Sequence, residues 1–474
     1  MDKTKKKIAI ALLVAVFLAA FEGTVISTAA PIIVKDLQGF EYISWIFSLY
    51  LLASAISTPI YGKLADLYGR KKILSLGILI FLIGSLFAGF SQNMYHLILS
   101  RAIQGLGAGS ILTVTFTVLG DVFTLKERST VQGAISTIWG VASLVGPLIG
   151  GFLIDFLSWH WIFFINIPFG FICLFFLQTH LKDTASIQKP KIDYLGTLTL
   201  SCGIGSFLYG IMIGYENGTF LFSMLAMTIF MIAFYFIEKN SPEPIVPFSL
   251  ITKSSTVING ISFFASVILI ATTVYLPLYV QTILGYSATV AGLSLASMSI
   301  SWFASSLLLN RLMEAYSFRK IIISSSYILL VACALLSSLT VYSSLFTVTL
   351  YSFIFGLGFS GTLNTLILMV QDSVGYEQRG AAVGLHSLTK TLAQTIGVSV
   401  CGTLINFKLT EYFSKNNILN INISTLYDPK NNLSLTQIHD ALFNSLHFVF
   451  LILIFIAFIT VLTAYLLPKK KLNN

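Results

Sequence analysis

The chain has 474 residues, 56% hydrophobic and only 10% charged, with a mean hydropathy of +0.86. Soluble domains are about 45–50% apolar and about 25% charged, so this composition excludes a soluble enzyme or binding domain and defines a polytopic membrane protein. A net charge of +9 would suggest nucleic acid in a soluble chain, but these cations fall in short loops between apolar runs, where they report membrane orientation and not a nucleic-acid partner.

A spanning helix needs about 20 apolar residues, and fourteen runs qualify. The first six lie near 8–32, 44–61, 73–90, 95–119, 131–155 and 161–180. Lys3 to Lys7 followed by Ile8 to Phe21 resembles a signal peptide, but the apolar run continues past Glu22 to Ile33 with no cleavage site, so it is read as a retained first helix. Between the second and third runs, Gly62 to Lys72 is expected to form a charged loop, with two glycines for the turn, Asp66, and a cluster of cations. On its own it reads equally as an ordinary basic connection on the cytoplasmic side.

After the polar stretch Lys182 to Lys191 come runs near 193–214 and 219–238, then six more near 257–281, 288–310, 321–339, 345–370, 383–405 and 442–467. An even count returns both termini to one side. With both in the cytoplasm, most of the 28 basic residues fall in inside loops, and Lys35, Lys408, Lys415 and Lys430 fall outside. Asn406 to Asp440 is a long external loop rich in Asn, Ser and Lys, expected to be a small cap or a mobile segment.

A weak repeat supports duplication. Asn310 to Tyr316 overlays Gly62 to Tyr68 with its cation, Leu, carboxylate and Tyr in step but without the glycines, and Asp372, Arg379 and Gly384 overlay Asp121, Arg128 and Gly133. The expected domains are a six-helix bundle over 1–181, a linker with two inserted helices over 182–256, and a second six-helix bundle over 257–474. The cysteines Cys173, Cys202, Cys333 and Cys401 are scattered singly in apolar runs, without CxxC spacing, and read as small core residues.

Several motifs together carry a family resemblance. They are Gly62-(x)3-Asp66-(x)2-Gly69-Arg70-Lys71-Lys72, preceded by Trp45 and Tyr50-Leu51-Leu52-Ala53; Arg101-(x)2-Gln104-Gly105-x-Gly107-Ala108-Gly109; and Gly146-Pro147-Leu148-Ile149-Gly150-Gly151. Glu22-Gly23-Thr24-Val25-Ile26 with Ala30-Pro31, and Trp159 to Phe163 with Asn166-x-Pro168, add first- and sixth-helix signatures. Over nearly its whole length the chain resembles the fourteen-helix drug:proton antiporter branch of the major facilitator superfamily. The resemblance implies an all-α fold of two six-helix bundles plus two inserted helices, a proton-relay role for Arg101, and alternating access around a midplane site. Glu22 stands where that branch usually has Asp, His160 where it usually has Arg, and Ala142 where a glycine is often found.

Glu22 is an acidic residue deep in an apolar run, about 21 Å along its helix. Such a carboxylate is costly in the bilayer and is a functional candidate, because a proton and an organic cation can compete for it. The competing reading is a helix-to-helix hydrogen-bonding residue. Arg101 cannot lose its charge and needs carboxylate or polar partners; it is read either as a proton-relay residue or as a fastener of the bundle. Gly146, Pro147, Gly150 and Gly151 predict close helix packing and a kink in the fifth helix. His386, Lys390 and Gln394 share one helix face and are candidates, with Trp45, Tyr50 and Gln104, for lining a pathway, or else form a solvated stripe.

The reading is proton-coupled export of hydrophobic, cationic or amphiphilic compounds across the cytoplasmic membrane, with protons, small substrates and the lipid bilayer as partners. Glu22 and Arg101 would couple protons to substrate, and Gly62, Asp66, Gly69 and Arg70 would form a conformational latch. A transporter of one metabolite, sugar or lipid is the alternative within the class, and a non-transporting sensor the alternative outside it. The sequence has no metal-ligand cluster, nucleophile motif or GxxxxGK[ST] loop, so neither an enzyme nor a cofactor or metal site is expected.

Overall fold

The computed structural model describes residues 1–181, 193–213, 219–241, 244–246, 248–375, 378–416, 418, 423–428 and 433–468. The candidate linker stretch Lys182 to Lys191 lies outside them. Among the described residues there is no strand, and 14 helices are long and apolar enough to cross a membrane. They are α1 Lys3–Leu37, α2 Ile43–Tyr68, α3 Arg70–Gly89, α4 Met94–Val122, α5 Leu125–Phe156, α6 Trp161–His180 and α7 Tyr194–Ile213. Then follow α8 Thr219–Asn240, α9 Lys253–Thr282, α10 Ala288–Ala315, α11 Phe318–Ser337, α12 Leu345–Asp372, α13 Arg379–Lys415 and α14 Leu435–Tyr465.

The helices start where the sequence supplies a cap. Asn93, Thr252, Ser287, Ser317 and Ser344 each accept a hydrogen bond from the backbone three residues on, at 2.8–3.4 Å. Ser434 and Gln437 form a reciprocal capping box ahead of α14. These bonds satisfy N–H groups that have no partner within the helix.

Two compact units emerge. The first comprises Met1–Ile26, Trp45–Gly146 and Phe156–Val246; the second comprises Ser27–Ser44, Pro147–Asp155 and Pro247–Asn474. Both α1 and α5 therefore change unit along their length, α5 at the bond between Gly146 and Pro147.

In the first unit, α4 is gripped between α2 and α3 through its glycines. A Cβ on Gly105 would strike the Tyr50 carbonyl, one on Gly109 would come within 2.7 Å of the Ser54 carbonyl, and one on Gly107 would strike the Phe81 backbone. From α3, a Cβ on Gly84 would sit 2.5 Å from the Gln104 nitrogen. Lipid offers no hydrophobic drive between helices, so this close approach and the bonds it permits, such as Ser57 Oγ to the Leu106 carbonyl at 3.2 Å, hold the bundle.

In the second unit α9 and α13 pack in parallel. Asn259 meets His386, Gly397 abuts Val267 and Ile270, and Tyr275 donates to the Val398 carbonyl at 2.9 Å. Within α12, Ser360–Asn364 form a π-turn, and Gly356 and Gly361 press against Ser301 and Ser325. Helix α13 continues through residues 406–415, read from sequence as the start of the external loop. Glu411 pairs with Lys408 at 2.5 Å and Lys415 at 2.6 Å on one face, so the segment is a polar helix that hydropathy does not register. Cys173, Cys333 and Cys401 are buried and Cys202 is half-buried, all as free thiols.

Candidate functional site

The α2–α4 contact fixes the candidate site, because Gln104 immediately precedes Gly105 and Arg101 sits one turn before it. Arg101 is 1% exposed, and Glu22, Gln104, Asn166 and Ser85 are each fully buried. From Arg101, Nη1 donates to Glu22 Oε1 and to Gln104 Oε1, the latter at 2.6 Å, while Nε donates to the Ile46 carbonyl at 3.1 Å. Its guanidinium carbon lies 4.2 Å from the centre of the Tyr50 ring, within cation–π range.

The second carboxylate oxygen of Glu22 accepts from Asn166 Nδ2 at 2.6 Å. Ser85 Oγ closes the network, accepting from Gln104 Nε2 at 2.7 Å and from Asn166 Nδ2 at 3.0 Å. Five helices, α1, α2, α3, α4 and α6, thus converge on one carboxylate and one guanidinium. Each charge has a partner and hydrogen bonds besides, the condition under which a buried pair is tolerated.

The structure brings Glu22, Arg101, Gln104 and Tyr50 together as a set. Trp45 is half-buried and outside the network, although Ile46, its neighbour, supplies the carbonyl that Arg101 uses. Ser85 and Asn166 belong to the network without having been singled out as site residues. Asn166 had a signal in the Asn-x-Pro of α6; Ser85 had none.

Gly146 serves the same region. A Cβ there would strike Thr24 Oγ1, and Thr24 donates to the Ala142 carbonyl at 3.1 Å, so α5 lies against α1 two residues beyond Glu22. Pro147, Gly150 and Gly151 are buried in the second unit. There Gly151 abuts the backbone of Ala288 and Thr289, and Gly292 abuts the Pro147 carbonyl. One turn on, Asp155 accepts from the backbone N–H of Ala288 at 3.2 Å and of Thr289 at 2.9 Å, and from Thr289 Oγ1 at 2.5 Å. The carboxylate closes the start of α10, a role the sequence reading did not assign.

The charged segment near Gly62 differs from the expected loop. Residues through Tyr68 are helical, and Gly69 alone makes the turn, with φ of 95°. Gly62 instead lies beside α4, where a Cβ would meet Thr113 Cγ2 at 3.3 Å. Arg70 pairs with Asp66 at 2.7 Å and with Asp121 at 2.6 Å, so the candidate latch is a half-exposed triad that includes Asp121.

His386 and Lys390 form a separate set in the second unit. His386 is buried, with Nδ1 3.0 Å from Asn259 Oδ1 and Nε2 3.5 Å from Ser262 Oγ. It joins α13 to α9.

Fourteen membrane-length helices, without a soluble domain among the described residues, define a multi-pass membrane protein, and five of them meet at a buried charge cluster. The Major Facilitator Superfamily description matches residues 12–398, and the chain belongs to that family. Multidrug resistance protein 3 of Bacillus subtilis strain 168 is 31% identical over 430 residues, spanning 87% of this chain and 84% of the relative. The multidrug efflux pump SdrM of Staphylococcus aureus strain N315 is 31% identical over 403 residues, 83% of this chain and 88% of its own. A bacterial homologue of the human lysosomal transporter Spinster, inward-facing and unoccupied, gives a TM-score of 0.71 at 15% identity over 100% of this chain and 99% of its own. A D-xylose–proton symporter gives 0.63 at 12% identity over 94% and 97%. At such identities these two structures share the fold.

Proposed function

We propose that the chain is a proton-coupled antiporter that exports hydrophobic, cationic or amphiphilic compounds across the cytoplasmic membrane, with both termini in the cytoplasm. The observation that carries this reading is the Glu22–Arg101 pair, sealed from solvent and held by Gln104, Asn166 and the Ile46 carbonyl. The names of the relatives, a multidrug resistance protein and a multidrug efflux pump, support the choice of cargo.

When Glu22 takes a proton the pair loses its attraction, and Arg101, which keeps its charge, is left with Gln104, the Ile46 carbonyl and the Tyr50 face. Conversely, a substrate cation approaching ionised Glu22 competes with both Arg101 and the proton. Exclusive occupancy of one carboxylate by proton or cation is the elementary requirement of antiport. The six-helix bundles of 1–181 and 257–474 would rock during the cycle, with 182–256 as a linker. Asp66, Gly69 and Arg70, joined by Asp121, would latch one closed state from the cytoplasmic side, and the α5 packing at Gly146, Pro147, Gly150 and Gly151 would resist leak.

Transport of a fluorescent cation such as ethidium, out of cells or into inverted vesicles, with and without an imposed proton gradient, tests the reading. Export that follows the gradient is expected. Movement independent of the gradient removes the proton-coupling claim, and no movement of any cation removes the cargo claim.

A further inference from the structure

In the first unit Glu22 and Arg101 neutralise one another; in the second, among the described residues, Lys390 has no such partner. Lys390 lies 11 residues into α13, about 10 Å inside the apolar run that begins near residue 383, within a hydrocarbon core about 30 Å thick. Among the described residues no carboxylate pairs with it and no group accepts a hydrogen bond from it. Gln394, one turn further along the same face, is likewise half-buried and without a hydrogen-bond partner among the described residues. His386, one turn earlier, is already engaged by Asn259 and Ser262, so the unspent donors on this face are Lys390 Nζ and the Gln394 amide. The register of α9 against α13 sets Ser266 at about the height of Gln394, and its hydroxyl is fully buried with no hydrogen-bond partner.

An unpaired ammonium at this depth is costly unless it faces a water-filled path or meets an anion. The donors are an ammonium and an amide with no acid nearby, the complement of a carboxylate or another oxyanion. We infer that Lys390 and Gln394 form an anion subsite that receives the acidic group of an amphiphilic substrate. This rests on the transporter reading and narrows its cargo to include carboxylate-bearing and zwitterionic amphiphiles. A lipid headgroup phosphate offers the same chemistry and is the other possible source of the anion.

Binding of pyrenebutyrate and of its uncharged methyl ester to the purified full-length chain, in phosphatidylcholine nanodiscs, tests this without requiring transport. A charged hydrogen-bonded contact predicts about a tenfold preference for the acid. Lys390→Gln should abolish the preference, Lys390→Arg should keep it, and Gln394→Leu should reduce it. Equal binding of acid and ester by the native chain, or a preference that survives Lys390→Gln, overturns the inference. If native protein loses its preference when phosphatidylglycerol is added, while Lys390→Gln protein is insensitive to that lipid, the anion is a headgroup and the substrate assignment is overturned. Ethidium transport by the same purified protein reconstituted into proteoliposomes reads the antiporter proposal separately, so either can fail alone.

Discussion

Arg101 donates to Glu22 where both side chains are at most 1% exposed, and the two come from α4 and α1, which no short sequence motif links. The guanidinium has no titration step available at physiological pH, so any change in this pair begins at the carboxylate or with a competing ligand.

Breaking one side of such a pair is costly. Glu22→Gln and Arg101→Met should each lower stability by about 3–5 kcal/mol, since each leaves a buried partner uncompensated. The double variant should lose much less than the sum. Unfolding of the purified proteins in one detergent measures this; additive losses would mean that the two side chains act independently.

The glycines of α4 set the position of the pair. Gly105→Ala places a methyl group against the Tyr50 carbonyl, and overpacking of this kind costs about 1–3 kcal/mol. Because Tyr50 and Ile46 lie on the displaced helix, efflux should fall with stability. A fully active, equally stable Gly105→Ala protein would show that α2 can yield without disturbing Arg101.

Asp155 closes the start of α10 with its two oxygens. Asp155→Ala should free the N–H groups of Ala288 and Thr289, a loss of about 0.5–2 kcal/mol by analogy with helix caps. Hydrogen exchange at residues 288–290 should accelerate locally, with the α4 core unchanged. Unchanged exchange there would show that Ser287 caps the helix alone.

Arg70 separates latch from stability. Its pairs with Asp66 and Asp121 are part-exposed, and exposed pairs contribute about 0–1 kcal/mol. Arg70→Ala should therefore barely shift unfolding yet reduce efflux severely. Normal efflux by Arg70→Ala protein would reduce the triad to a surface ornament of the α2–α3 turn.

At the N-terminus, Lys5 donates to Glu127 at 2.8 Å and the Thr124 N–H at 3.0 Å, and these bonds hold the Glu127 carboxyl down to about 2 from 4.5. A depressed carboxyl stabilises the folded state above its unfolded value and loses that contribution as pH falls through the folded one. Protection of the first turns of α1, corrected for intrinsic exchange, should hold steady above about pH 4.5 and fall as pH approaches 2. Glu127→Gln should give the low-pH behaviour at every pH.

Much of the fold was legible because bilayer thickness demands long apolar runs, and those runs stand out against charged connections. The segment after Asn406 was not, because a helix held by Lys408, Glu411 and Lys415 carries no hydropathy signal. Gly62 was read as a turn residue, yet a glycine that admits a neighbouring helix looks the same in sequence as one that reverses the chain. Glu22 and Arg101 were visible as charges in apolar runs, but Ser85, small and common, acquires meaning only when Gln104 and Asn166 both reach it. His386 shared a helical period with Lys390, and only tertiary packing separates the one that binds α9 from the one left unpaired.

The most direct test of the central claim, that proton exchange at Glu22 couples the gradient to export, is ethidium transport in proteoliposomes containing native or Glu22→Gln protein. Gradient-driven accumulation and gradient-free ethidium exchange should both be lost in Glu22→Gln, since a neutral amide neither exchanges a proton nor offers the carboxylate that the cation occupies. Accumulation by Glu22→Gln protein at the native rate and with the native dependence on the proton gradient would contradict the account.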